Sequence, residues 1–204
     1  MSKKQKTRCG IDDKIVVMGA SAGGIKTLKL ILISIPRDFP SPILITQHIS
    51  PTFHKLEHFA YLLDLKCDIH VKVAEDGENL YPGVAYICPP ATHMEIIINN
   101  HYPCIKLSTN REINHGMPCI DLLFSSISKI YKEKAMGVIL TGMLRDGVDG
   151  LKEIRKVRGM TIAESEETAQ IFGMPKKALD EGAARFSVPN YQIKDHLIRF
   201  TANT

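Results

Sequence analysis

The chain has 204 residues, 44% hydrophobic and 24% charged, enough to bury one substantial core and ordinary for a globular domain. Its net charge of +4 comes largely from Lys3, Lys4, Lys6 and Arg8, and with no tryptophan and 6% aromatics it lacks the interleaved basic and stacking residues of a nucleic-acid binder. No apolar run reaches the roughly 18 residues of a membrane span, and no signal-peptide core follows the basic start, so a cytoplasmic protein is expected.

Met1 to Asp12 is polar and aperiodic, which reads as a flexible basic arm (1–12) before a single domain (13–204). Short β-branched runs then alternate with amphipathic stretches: Ile15 to Met18, Ile25 to Ile33, Ile43 to Thr46 and Phe53 to Leu65. That alternation predicts βαβ units, and the uninterrupted apolar runs suit strands covered on both faces. Between Val71 and Leu107 the punctuation changes to Pro82-Gly83, Pro89-Pro90 and Asn99-Asn100, which reads as inserted β-hairpins. A helix over Cys119 to Tyr131, a strand over Met136 to Leu140, a helix from about Gly147, a final strand over Thr161 to Ala163 and one more helix complete the prediction. The expected fold is α/β, a doubly wound, mostly parallel sheet with helices on both faces and inserted β-hairpins.

Chemistry concentrates at three predicted strand ends. Gly19-Ala20-Ser21-Ala22-Gly23 fits the G-x-S-x-G elbow, in which small neighbours let a sharp turn hold a serine hydroxyl above the sheet. The same letters nearly fit a dinucleotide fingerprint, and a merely structural turn is a third reading. A dinucleotide site asks for an acid at the end of the second strand, whereas this one ends Thr46-Gln47-His48. The third strand end opens a glycine-bounded loop, Thr141 to Gly147, that presents Asp146. A serine hydroxyl is too weakly acidic to attack an ester unaided. An imidazole must take its proton, and a carboxylate on the other ring nitrogen fixes the tautomer. Ser21, His48 and Asp146 supply those three groups, with the backbone N–H groups of Ala22 and Met143 as candidate oxyanion donors.

The order Ser, His, Asp is not that of the α/β-hydrolases. The chain instead resembles the catalytic domain of the chemotaxis protein-glutamate methylesterases, the CheB-type family. The resemblance rests on G-A-S-A-G-G at Gly19 to Gly24, T-Q-H-I at Thr46 to Ile49, A-E-D-G at Ala74 to Gly77 and P-G-V-A-Y-I-C-P-P at Pro82 to Pro90. It continues with T-H-M at Thr92 to Met94, L-T-G-M-L-R-D-G at Leu140 to Gly147 and F-G-M-P at Phe172 to Pro175. It implies a methylesterase-like domain over 13–204, with Ser21 as nucleophile, His48 as base and Asp146 orienting it. It further implies hydrolysis of γ-glutamyl methyl esters on chemoreceptor cytoplasmic helices, deamidation of glutamines by the same chemistry, and no cofactor or metal.

Two departures from the family pattern stand out. Leu144 replaces the small residue, usually glycine, after the methionine, and is expected to narrow the site. Met117-Pro118-Cys119-Ile120-Asp121 stands where the family has R-P-S-V-D. The family's usual receiver domain is not expected in the dozen residues before the first strand, leaving constitutive activity, a separate regulatory partner or a role outside chemotaxis. The rival from another class is a non-catalytic scaffold domain of a signalling complex that keeps this fold.

Plainer roles are weighed beside these. Ser21 alone suits a helix N-cap. His54 and His58, four apart, lack a third metal ligand and read as a solvated helix face. His93 is left outside the triad, with packing or a turn as its role. The five cysteines, Cys9, Cys67, Cys88, Cys104 and Cys119, form no C-x-x-C pair and read as reduced, mostly buried thiols, Cys119 included. Met94, Met143 and Met174 read as gap fillers.

Overall fold

A computed structural model describes residues 7–50, 55–110 and 116–202. In chain order the elements are β1 (Ile15–Ala20), α1 (Gly24–Ile33), β2 (Ile43–Gln47), α2 (Leu56–Asp64), β3 (His70–Val73), β4 (Val84–Ile87), β5 (His93–Asn99) and β6 (Tyr102–Ser108). There follow α3 (Ile120–Tyr131), β7 (Ala135–Ile139), α4 (Val148–Lys156), β8 (Met160–Glu164), α5 (Gly173–Asp180), β9 (Phe186–Val188) and α6 (Asn190–Ala202).

Seven strands form one sheet in the order β3-β4-β2-β1-β7-β8-β9, every neighbouring pair parallel. All six residues of β1 are buried. Its side chains alternate between two cores, as the pleat requires. Ile15 and Val17 face Leu123, Phe124, Leu151 and Ile154 from α3 and α4, while Val16, Met18 and Ala20 face Leu28, Ile31 and Leu32 of α1 and Ile193 and Leu197 of α6. Each fully buried aliphatic side chain of this kind contributes about 1.5–3 kcal/mol. The doubly covered parallel sheet is the architecture expected from the sequence.

Several details depart from that expectation. Only one hairpin lies between Val71 and Leu107, the antiparallel pair β5-β6, which leans on α3 where the Ile96 N–H donates to Ser126 Oγ at 3.0 Å. Its two-residue turn is Asn100-His101 rather than Asn99-Asn100, and both turn residues have positive φ (47° and 68°). Positive φ at both central positions matches the right-handed twist of the flanking strands. β3 and β4 instead join the main sheet in parallel, with β4 buried between β2 and β3. Pro82-Gly83 and Pro89-Pro90 do mark changes of direction, but turn residues carry no information about which strand pairs next. Thr161 to Ala163 is not the last strand, because β9 and a further helix, α6, follow it.

The N-terminal expectation also changes. Residues 1–6 lie outside the described residues, but the fold begins before Asp13. Cys9 is 3% exposed and its N–H donates to Leu80 O at 2.7 Å. The Arg8 guanidinium lies over the Tyr102 ring, and Lys134 pairs with Asp12. Among the described residues no helix is long and apolar enough to cross a membrane.

Candidate functional site

The carboxyl ends of β1, β2 and β7 are adjacent in the sheet, and each releases one of the three residues. This is the edge at which open parallel sheets assemble their sites. Ser21 follows β1, and its N–H donates to Thr141 O at 3.0 Å while its carbonyl accepts from Gly24 N at 2.9 Å, closing a tight turn. The N-cap of α1 is Gly23, with φ of 82° and no side-chain cap, so Ser21 does not cap the helix.

His48 extends the ladder by donating its N–H to Ala20 O at 2.9 Å. Its Nδ1 lies 3.2 Å from Ser21 Oγ and its Nε2 lies 2.7 Å from Asp146 Oδ2. With the acid on Nε2, the proton belongs there, and Nδ1 is left to accept from the serine. The ring is thus turned the opposite way from the usual Ser-His-Asp proteases, with the same division of roles.

Asp146 is 4% exposed. Its Oδ2 also accepts the Ile120 N–H at 2.7 Å, and its Oδ1 accepts the Asp121 N–H at 3.0 Å and the Cys119 thiol at 3.4 Å. The start of α3 therefore points its unpaired N–H groups at the carboxylate, the arrangement that makes helix N-termini anion sites. Burial alone would raise its pKa, but the His48 hydrogen bond and the two backbone N–H groups outweigh it and hold the carboxyl below the usual range. Gly147, next in sequence, has φ of 92°, and a Cβ there would stand 2.6 Å from Ile120 Cγ2. The glycine is what lets α3 approach the loop closely enough to make these bonds.

The loop is held from outside as well. Arg145 pairs with Asp149 and, at 2.8 Å, with Glu181, tying Thr141 to Gly147 onto α4 and α5. Leu144 does not narrow the site. It is 75% exposed with φ of 69°, the left-handed region in which a glycine is unstrained. The Ala22 and Met143 N–H groups have no hydrogen-bond partner among the described residues, as oxyanion donors require. An open cleft of about 650 Å³ reaches Ser21 and His48 and is bordered by Ile25, Lys26 and Gln170.

His93 and Cys119, also noted in the sequence, take structural roles. His93 is buried, with Nδ1 accepting the Cys119 N–H and Nε2 donating to Asn110 O. Burial, reinforced by Asp146, pushes the Cys119 thiol up to about 12, so it stays protonated. His54 lies outside the described residues, His58 is exposed, and no group of three metal-ligating side chains occurs among the described residues.

Two residues at this edge escape the sequence reading. Gln47 is 3% exposed, and its Nε2 donates to Ser21 O at 2.8 Å and His48 O at 2.9 Å, joining the two strand ends. Its place beside His48 was the available signal. Replacing Gln47 with Met keeps the volume and removes both bonds. The expected result is a kcat loss of about 10- to 100-fold with little change in KM, because a misplacement of the serine and the base acts on the chemical step. Wild-type kcat in the variant would reject the positioning role. Glu164, fully buried at the end of β8, accepts the Thr141 N–H at 2.8 Å and also binds Thr168 and Asn190. The signal for it was a lone carboxylate ending a buried strand.

Asp121, in the first turn of α3, accepts the Gly150 N–H at 2.6 Å. Burial is the main reason its carboxyl rises from 3.8 to about 6, opposed by the Gly150 N–H and increased by Asp146 nearby. The folded state thus binds this proton more tightly than the unfolded chain does. Its contribution to stability is present below about pH 4 and is lost as pH rises through about 6. Relative to Asp121→Asn, the wild type is expected to lose ~1–2 kcal/mol between about pH 4 and 7. Thermal melts of both proteins across that window check this, and a difference that does not change with pH would reject it.

The chain is similar in sequence and in fold to known proteins. Residues 16–197 match the family model described as CheB methylesterase. The chain is 38% identical over 198 residues to the protein-glutamate methylesterase/protein-glutamine glutaminase of Thermotoga maritima, covering 97% of this chain and 57% of that protein. It is 41% identical over 169 residues to the protein of the same description from Halalkalibacterium halodurans, covering 83% and 48%. The chain therefore spans about half the length of the curated relatives it matches. The crystal structure of the Thermotoga maritima CheB methylesterase catalytic domain superposes with a TM-score of 0.88 at 38% identity, covering 92% of this chain and 98% of that one.

Proposed function

We propose that this chain, which belongs to the CheB methylesterase family, hydrolyses γ-glutamyl methyl esters on the cytoplasmic helices of chemoreceptors through Ser21, His48 and Asp146. The observation that carries the reading is the unbroken hydrogen-bond run from Ser21 Oγ through both nitrogens of His48 to Asp146.

In the first half-reaction Ser21 Oγ attacks the ester carbonyl while His48 Nδ1 takes the hydroxyl proton. The imidazolium that forms is stabilised by Asp146 on Nε2. The carbonyl oxygen, now negative, is met by the Ala22 and Met143 N–H groups. Collapse of the tetrahedral intermediate expels methoxide, which leaves as methanol with the proton from His48. A glutamyl-serine ester remains. In the second half-reaction His48 removes a proton from water, the hydroxyl adds to the acyl carbon, and Ser21 departs with that proton, releasing glutamate. A glutamine side chain follows the same steps with ammonia as the leaving group. None of these steps draws on a metal or an organic cofactor.

The test is methanol release from methylated receptor cytoplasmic fragments, run beside fluorophosphonate labelling and mass spectrometry of receptor glutamines. Release together with labelling at Ser21 is expected. Labelling without release would redirect the proposal to another ester, and failure of both would favour a scaffold role.

A further inference from the structure

Exposed apolar residues are usually scattered, and a concave cluster of them marks a contact surface. Several of them lie on two neighbouring helices. Leu30 and Ile33 of α1 and Tyr61 and Leu62 of α2 are 39–58% exposed, and Leu65, just past α2, is 64% exposed. Between the helices lies an open groove of about 370 Å³, with Phe59, Leu62 and Leu63 as its floor and Lys29 and Lys66 as its rim.

The charged residues that line this groove are both lysines. α1 contains two lysines and no acid, and no acid lines the groove. Lys26, Lys29 and Lys66 form no ion pair with any described residue. Of the nearby acids, Asp64 accepts from His70 and the Val71 N–H, Asp68 follows Lys66 by two residues outside the lining, and Glu57 lies in the first turn of α2, at the far end of the helix from Lys66.

The groove and the cleft at Ser21 both border α1. α1 starts three residues after the serine, and Ile25 and Lys26 border the cleft while Lys29, less than one turn further, rims the groove. That spacing is about 4.5 Å along the helix axis. A chain held at Ser21 that runs along α1 reaches the groove within a turn or two.

We infer that the α1–α2 groove is an exosite for the protein substrate, which seats an apolar side chain on Phe59 and Leu62 and sets carboxylates against Lys29 and Lys66. This rests on the function proposed above. A segment that carries several esterified glutamates exposes free glutamates as soon as some are hydrolysed, so it is acidic by its own chemistry. Binding therefore strengthens as neighbouring esters are removed, and partly demethylated segments are held better than fully methylated ones.

The experiment measures binding rather than turnover. A helical peptide with one γ-methyl glutamate, apolar residues on one face and free glutamates one and two turns away is titrated by fluorescence anisotropy into Ser21→Ala protein. The comparison peptide has glutamines in place of the free glutamates. Adding Lys29→Glu and Lys66→Glu is expected to weaken binding of the glutamate peptide roughly tenfold, while Lys29→Arg with Lys66→Arg retains it. Leu62→Ala is expected to weaken both peptides several-fold, and salt to weaken only the glutamate peptide. Equal affinity for wild-type and charge-reversed groove, no preference for glutamate over glutamine, or no binding of either peptide would overturn the exosite. With Ser21 restored, the charge-reversed protein is expected to react with a small fluorophosphonate at the wild-type rate. Failure of the wild type itself to react would instead strike at the proposed hydrolysis.

Discussion

Ser21→Ala is expected to lower turnover of a glutamyl methyl ester by about 10⁶-fold and to abolish fluorophosphonate labelling, with the fold unchanged. The serine is half-exposed at the mouth of the cleft, and the one hydrogen bond of its hydroxyl among the described residues is to His48, so its removal is expected to leave the fold intact. His48→Ala is expected to cost about as much, because groups that act as a unit do not contribute additively. The Ser21→Ala, His48→Ala double variant should then be little worse than either single one. Progress curves of methanol release and a thermal melt of each protein decide this. A single variant that keeps more than about a hundredth of the activity would mean that the hydrogen-bond run is not the catalytic apparatus.

Asp146→Asn is expected to cost about 10⁴-fold in kcat and also to destabilise the protein, a combination that separates it from Ser21→Ala. The carboxylate accepts from four donors: His48 Nε2, the Ile120 and Asp121 N–H groups and the Cys119 thiol. An asparagine offers one oxygen and turns an N–H toward donors on its other side. If the oxygen stays with His48, the Asp121 N–H loses its acceptor. If the oxygen stays with Asp121, then His48 and Ile120 lose theirs and the wrong tautomer faces Ser21. Either arrangement leaves buried donors unpaired, at a cost of about 1–3 kcal/mol. Cys119→Ala removes only the longest of the four contacts and is the control. It is expected to keep activity within a few-fold, and a loss as large as that of Asp146→Asn would mean that the thiol has a part in the chemistry.

Ser21, His48 and Asp146 were legible because each sits at the end of an uninterrupted apolar run, and a parallel sheet delivers those ends to one edge. What the letters did not carry was pairing. Val84 to Ile87 reads equally well as a hairpin arm or a central strand, and only its burial between β2 and β3 distinguishes them. β9 has three residues, two of them exposed, so it presents no run to find. Cys9 sits in a polar segment, and its docking depends on the Leu80 carbonyl, far away in sequence. Gln47 and Glu164 were missed for a related reason. Their importance lies in backbone groups of other segments, and backbone groups are the same at every position. Leu144 was misread because the sequence gives its size and not its place, which is 75% exposed and away from the residues that border the cleft.

The position of β1 at the centre of the sheet has a consequence for how the site comes into being. β1 pairs with β2 on one side and, through Gly19 and Ile139, with β7 on the other, a contact that spans more than half of the chain. Closing so long a loop costs entropy before any contact compensates, so pairings of this kind lag behind local ones during folding. Ser21 meets His48 through the short closure and Asp146 only through the long one. A refolding chain should therefore gain helix signal well before it reacts with a fluorophosphonate, which makes reactivity at Ser21 a clock for completion of the sheet.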